Sequence, residues 1–223
     1  MKRNLTLLTL ASAALLSAAS DVDKRLDVAA TTFKEVMDTP DKSIPQDLLA
    51  KAQCIVIVPG LKKGAFIVGA KYGKGFISCR KEGNVGWSAP GAIRVEGGSF
   101  GFQIGGSETD VFMLVMSGRG VDRLLSSQFT LGGDASVAAG PVGRSSQAET
   151  DAAFTAEILT WSRSRGLFAG ISLSGATLRE DSDWIKDMYG KPMSNKEIVQ
   201  GATAVPPAAK SLMTELNRFS LRK

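Results

Sequence analysis

At Cys54 the hydrophobic pattern of this chain changes period, and that change is the strongest constraint on its fold. Before it, from Val22 to Met37, apolar residues fall at Val22, Leu26, Ala29, Ala30, Phe33, Val36 and Met37. This is one face of a helix, and Thr39-Pro40 stops it. Ile44-Pro45 opens a second, short helix over Gln46 to Ala52. After it, CIVIVP is a continuous apolar run, while AFIVGAKY and GFISCRK are short alternating runs with glycine-rich turns between them. A side-chain period of two means strands.

Further strands are predicted around Ala92–Ile104 and Val111–Met116, and a helix over Gly118 to Ser126 facing inward with Val121, Leu124 and Leu125. Residues 132–150 are rich in glycine, alanine and serine, too small for conventional packing. Glu157–Ser164 and Leu167–Leu178 read as a strand pair hinged at Arg165-Gly166. Asp181 to Tyr189 and Lys196 to Gln200 are short helices, and Pro206-Pro207 starts a longer one carrying Leu212, Met213, Leu216 and Phe219. Helices, then many strands, then helices predict a single compact α+β domain. Its sheet is mainly antiparallel and glycine-rich, with a barrel-like closure open to it.

The first twenty residues stand apart. Lys2 and Arg3 precede an apolar run from Leu5 to Leu16, and Ala18, Ala19 and Ser20 lead into a charged stretch. That order is a secretory signal, too short for a membrane span. Residues 1–20 are therefore expected to be removed and 21–223 to be the exported domain, periplasmic or associated with the cell envelope. Neither cysteine lies near the cleavage point, so a lipoprotein is not expected. No later segment is long enough to span a bilayer, so the mature chain is expected to have no transmembrane segment.

Charge is distributed unevenly. The stretch from Leu48 to Lys81 holds Lys51, Lys62, Lys63, Lys71, Lys74, Arg80 and Lys81 and no acid, within a chain of formal charge +5. Such a block attracts anionic lipid, nucleic acid or an acidic protein, or is a solvated face balanced by acids from elsewhere. Nucleic acid is not expected, because no aromatic residues interleave the basic block and the chain is read as exported.

Catalytic motifs are weak. The chain has no histidine, which removes histidine triads and imidazole zinc sites. Gly97-Gly98-Ser99-Phe100-Gly101 spells G-x-S-x-G but sits in a glycine-rich strand without a base. Ser78-Cys79-Arg80-Lys81 spells S-x-x-K, but on a strand positions three apart face opposite ways. GAKYGKG and GPVGRSS lack the full phosphate-loop pattern. Asp110, Asp122, Asp134 and Asp151 lack calcium-loop spacing. No catalytic residue, metal ligand or cofactor is assigned, and an enzyme is not expected.

Cys54 and Cys79 fall in two predicted strands of one sheet. An oxidising compartment would permit a disulfide closing 24 intervening residues, worth about 3 kcal/mol by loop entropy. Two buried thiols packing as small apolar groups are the alternative.

The segments IPQDLLAKAQCIVIVP, FIVGAKYGKGFISCR, WSAPGAIRVEGGSFGFQIG, TDVFMLVMS, FTLGGDASVAAGPVGR, TDAAFTAEIL, SRGLFAGISLSGATLRED and YGK follow one another from Ile44 to Tyr189. In this succession the chain resembles the SYLF-domain family. The resemblance implies one compact, many-stranded domain with terminal helices and no known catalytic activity. Eukaryotic members bind phosphoinositides, and some fungal ones bind actin; what carries over to an exported bacterial protein is affinity for anionic lipid headgroups.

The expected function is thus peripheral binding of an anionic phospholipid surface at the bacterial cell envelope. Lys62, Lys63, Lys71, Lys74, Arg80 and Lys81 would supply the attraction, about 1 kcal/mol each near such a surface. The alternative is an envelope scaffolding module whose basic 48–81 block meets an acidic protein partner. Both terminal helices are expected to pack on the core. The N-terminal helix has an acidic polar face, and the apolar stripe of the C-terminal one is narrow.

Overall fold

A capping box opens the first helix. In the computed structural model, which describes residues 20–39, 43–65, 68–81, 83, 86–100, 105–142, 155–164, 166–171 and 173–220, helix α1 spans Asp21–Met37. The Ser20 hydroxyl accepts from Asp23 N, and the Asp23 carboxylate accepts from Ser20 N, satisfying two otherwise orphaned amide donors. All seven apolar residues of its stripe are buried. The leader expectation concerns residues that, except Ser20, lie outside the described ones.

Helix α2, Gln46–Lys51, leads into β1, Cys54–Ala65, and β2, Val68–Cys79. Next come β3, Gly91–Phe100, β4, Gly105–Val115, helix α3, Gly118–Leu124, and β5, Gln128–Thr130. Strands β6, Val137–Ala139, β7, Ile158–Ser164, β8, Leu167–Gly170, and β9, Thr177–Glu180, complete the sheet. Helices α4, Ser182–Tyr189, and α5, Asn195–Gln200, precede a 3-10 turn at Pro207–Ala209 and helix α6, Lys210–Phe219.

The strands form one sheet in the order β5-β9-β3-β2-β1-β4-β7-β6, with β8 also on β7. All pairings are antiparallel except β6 with β7. The two outermost strands, β5 and β6, are consecutive in the chain, with Thr130 and Val137 at the near ends. So short a connection forces the sheet to curl until its edges approach. Gly132 N donates to the Ala135 carbonyl within this connection, and Leu131 N to the Ala176 carbonyl, extending the β5–β9 ladder. The result is a half-barrel, an α+β fold with a mainly antiparallel sheet.

Strand alternation then gives two cores. Ile55, Ile57, Phe76, Phe112, Leu114 and Trp161 point outward and are covered by α1, α2 and α6. Phe33 of α1 meets Phe112 at 6.5 Å and Phe219 of α6 at 6.0 Å between ring centroids. Helix α1 therefore packs on the sheet and α6 packs on α1, both within the same core. Val56, Val58, Leu61, Ile77, Val95, Val111, Met113 and Phe129 fill the inside of the curl.

Three sequence expectations need correction. Gly73 and Gly75 do not mark a turn; both lie inside β2, which runs unbroken from Val68 through Cys79. A Cβ on Gly75 would lie 2.8 Å from the Val58 Cα, and one on Gly73 2.8 Å from a Leu61 methyl. Their glycines exist for close approach by β1. That strand bulges between Val58 and Leu61, with Gly60 at φ 59°. The extra residue puts both Val58 and Leu61 on the inner face, which a regular strand would not allow.

The run Leu167–Leu178 is likewise not a single strand. Its start, β8, pairs with β7, but its end, β9, pairs with β3 near the other edge. Finally, the small-residue stretch 132–150 does pack in part. Val137–Ala139 forms β6, and Gly140 sits against the Trp161 ring where no side chain would fit. Residues 143–150 lie outside the described ones.

Candidate functional site

The long β1–β2 hairpin carries Lys62, Lys63, Lys71 and Lys74, and Arg80 and Lys81 directly follow its second strand, so the six basic residues singled out from the sequence are spread over its length. Lys71 and Arg80 are separated by nine residues, roughly 30 Å of strand. Lys62, Lys63 and Lys71 gather at one end, because the register sets Lys62 opposite Tyr72 and Lys63 opposite Lys71. Lys81 is exposed at the other end.

Two of the six are committed to the fold. The Lys74 ammonium sits 2.7 Å from the Asp181 carboxylate, which is 2% exposed, and 4.7 Å from the Trp184 ring centroid. Asp181 also accepts from Trp184 N at 3.1 Å, capping α4 in the way short carboxylates favour. Trp184 in turn stacks on Phe76 at 5.6 Å. Lys74 thus pins α4 to the sheet. Arg80 donates to the Leu49 carbonyl at 3.0 Å and lies over the Trp87 ring at 4.0 Å, tying α2 to the end of β2.

Lys62, Lys63 and Lys71 enter no ion pair among the described residues, which elsewhere pair lysines with aspartates at Lys34–Asp38 and Lys74–Asp181. Lys62 points outward, beside Tyr72, which is 48% exposed, and across from Glu108 of β4. Lys63 and Lys71 point inward, as their strand parity with Leu61 and Gly73 requires. Burial, and then the charge of Lys71, hold the Lys63 amine below its usual value.

Cys54 and Cys79 are joined in a disulfide. They are directly opposite on β1 and β2, and Arg80 N donates to the Gln53 carbonyl beside them. This makes them a non-hydrogen-bonded pair, whose side chains approach most closely. The bridge floors a cleft of about 740 Å³ bounded by Arg80, Lys81, Val121 and Val199–Thr203.

The catalytic motifs acquire no supporting geometry. Gly97 to Phe100 lie within β3, not on a strand-to-helix elbow. The Ser78 hydroxyl donates to the Ser88 carbonyl at 2.7 Å and is buried. Among the described residues no group of three or more cysteine, aspartate or glutamate side chains could hold a metal ion. No helix among them is long and apolar enough to cross a membrane.

Sequence reasoning missed Tyr72 as an exposed aromatic and Asp181 as the partner of Lys74. The first was legible in principle, since it alternates with Lys71 in a strand. The second was not, because it depends on a contact across more than a hundred residues.

The curled sheet thus gathers Lys62, Lys63 and Lys71, unpaired among the described residues, at one end of its long hairpin. A family profile described as "Ysc84: Las17-binding protein actin regulator" matches residues 96–219. The chain belongs to this Ysc84, or SYLF, family. It is 37% identical over 183 residues to SH3 domain-containing YSC84-like protein 1 of Xenopus laevis, covering 81% of this chain and 54% of that one. It is 35% identical over 182 residues to the Homo sapiens protein of the same name, covering 81% and 53%. To Protein YSC84 of Saccharomyces cerevisiae it is 36% identical over 178 residues, covering 78% and 37%. The chain thus spans about half the length, or less, of these relatives. The family is one of binding or adaptor domains and not a known enzyme family.

Proposed function

We propose that this protein is a non-enzymatic, peripheral binder of anionic lipid headgroups, exported to the bacterial periplasm or cell envelope. The observation that carries the reading is the clustering of Lys62, Lys63 and Lys71, unpaired among the described residues, at one end of the β1–β2 hairpin. Lys74 and Arg80 are withdrawn from the contact surface by their internal partners, and Lys81 lies at the far end. Surface lysines hold charge without fixed geometry, which suits a fluid lipid layer.

Vesicle co-sedimentation of the chain from Ser20 onward, which contains every described element, tests this. Binding should be stronger to equimolar phosphatidylcholine and phosphatidylglycerol than to phosphatidylcholine alone, and should weaken as salt is added. Equal binding to both vesicles, or no salt dependence, refutes it.

A second reading is an envelope scaffolding module binding an acidic protein. It draws on the family description, which names a binding protein and actin regulator, and on relatives described as SH3 domain-containing. A defined protein that co-purifies with the exported chain, competes with vesicles and requires the same lysines would favour it.

A further inference from the structure

We propose that Lys63 and Lys71 form a two-lysine phosphate clamp on the inner face at the end of the half-barrel, and that its ligand is the phosphate of an anionic lipid headgroup. This rests on the lipid-binding reading above and names the residues that make it specific.

The two lysines are direct cross-strand partners in the antiparallel β1–β2 pair. Like charges directly opposite destabilise a sheet, and here both side chains are partly buried, so water screens them incompletely. No carboxylate pairs with either among the described residues, whereas Lys74, three residues along the same strand, meets Asp181. The same row continues across the sheet with Ser107 beside Lys63 on β4 and Gly97 beside Lys71 on β3. The row therefore reads Ser107, Lys63, Lys71, Gly97: a hydroxyl donor, two ammonium groups and a position with no side chain. A phosphate seated between Lys63 and Lys71 would accept from both ammonium groups and would relieve the repulsion between the amines.

The source of the phosphate follows from the surroundings. The Gly175–Ala176 backbone closes the row at Gly97, while Tyr72 and Lys62 stand beside Lys63 and Lys71 on the opposite face. An exposed tyrosine beside cations suits the interfacial layer of a membrane.

The experiment compares two double variants of equal charge in the co-sedimentation assay with phosphatidylglycerol vesicles. Lys63→Gln/Lys71→Gln should lower partitioning about 25-fold, about fivefold for each lysine near the surface. Lys51→Gln/Lys81→Gln, at the far end of the hairpin, should lower it by less than about twofold on the same scale. Without vesicles, the first variant should melt above the unmutated protein, showing that it folds and that the pair repels when empty.

Equal losses in the two variants would overturn the clamp while leaving lipid binding intact. No preference of the unmutated protein for phosphatidylglycerol would overturn lipid binding and the clamp together. Inorganic phosphate that raises the melting temperature, depends on Lys63 and Lys71, and accompanies no vesicle binding would replace the lipid by a soluble anion and overturn the proposed source.

Discussion

Replacing Asp181 by alanine removes two things at once, and each has a size. The carboxylate caps α4, a contribution of about 1 kcal/mol. It neutralises Lys74 at 2.7 Å, and its loss leaves an ammonium with a side chain only 24% exposed beside the Trp184 ring. Breaking a buried pair costs about 3–5 kcal/mol; Lys74 retains some solvent, so the lower end applies. Asp181→Ala should therefore destabilise by about 3–4 kcal/mol, lowering the melting temperature by roughly 8–12 °C in a domain of this size. Asp181→Asn keeps an efficient cap and loses only the charge, so it should cost about 1 kcal/mol less. Lys74→Met should be destabilising too, while leaving phosphatidylglycerol binding within about twofold, since that lysine adds little of its charge to a lipid surface. Thermal melts by circular dichroism, with urea titrations at one temperature, read these values. Equal and small losses for Asp181→Ala and Asp181→Asn would refute the ion pair as a stabilising element. A Lys74→Met protein that folds normally but no longer binds vesicles would show that Lys74 belongs to the lipid surface after all.

Three other outcomes follow from the structure. Cys54→Ser should lower stability by about 3 kcal/mol, and denatured, unreduced protein should take up no thiol reagent; full labelling would refute the bridge. Gly75→Ala should cost about 3 kcal/mol or prevent folding, because a methyl there meets the β1 backbone at Val58, whereas Gly118→Ala, where a Cβ meets nothing within 4 Å, should be tolerated. The Glu197 carboxyl is held below its usual value by its bonds with the Ser194 backbone and hydroxyl at the start of α5, so its contribution is present above the ordinary carboxylate range and lost as acid protonates it; Glu197→Gln should flatten that part of the decline in melting temperature that falls below about pH 5.

Local pattern carried much of this protein. The helical stripe of α1, the shift to strands at Cys54 and the apolar face of α6 all depend on side chains a few residues apart, and a period is visible in the sequence wherever one face must be buried. The acid-free block was visible for the same reason, as was the pairing of the two cysteines as a possibility. What sequence spacing could not express was distance between remote segments. Gly73 and Gly75 looked like turns until the β1 bulge was seen pressing against them, and Leu167–Leu178 looked like one strand until its halves joined opposite parts of the curl. The basic block met the same limit. Its charge is written in the chain, but which lysines stay available depends on what folds opposite them: Asp181 arrives over Lys74, Leu49 and Trp87 flank Arg80, and no acid among the described residues pairs with Lys63 or Lys71. Ion pairing is a contact across space, so tertiary structure alone decides which of these charges the fold neutralises and which it leaves to a partner.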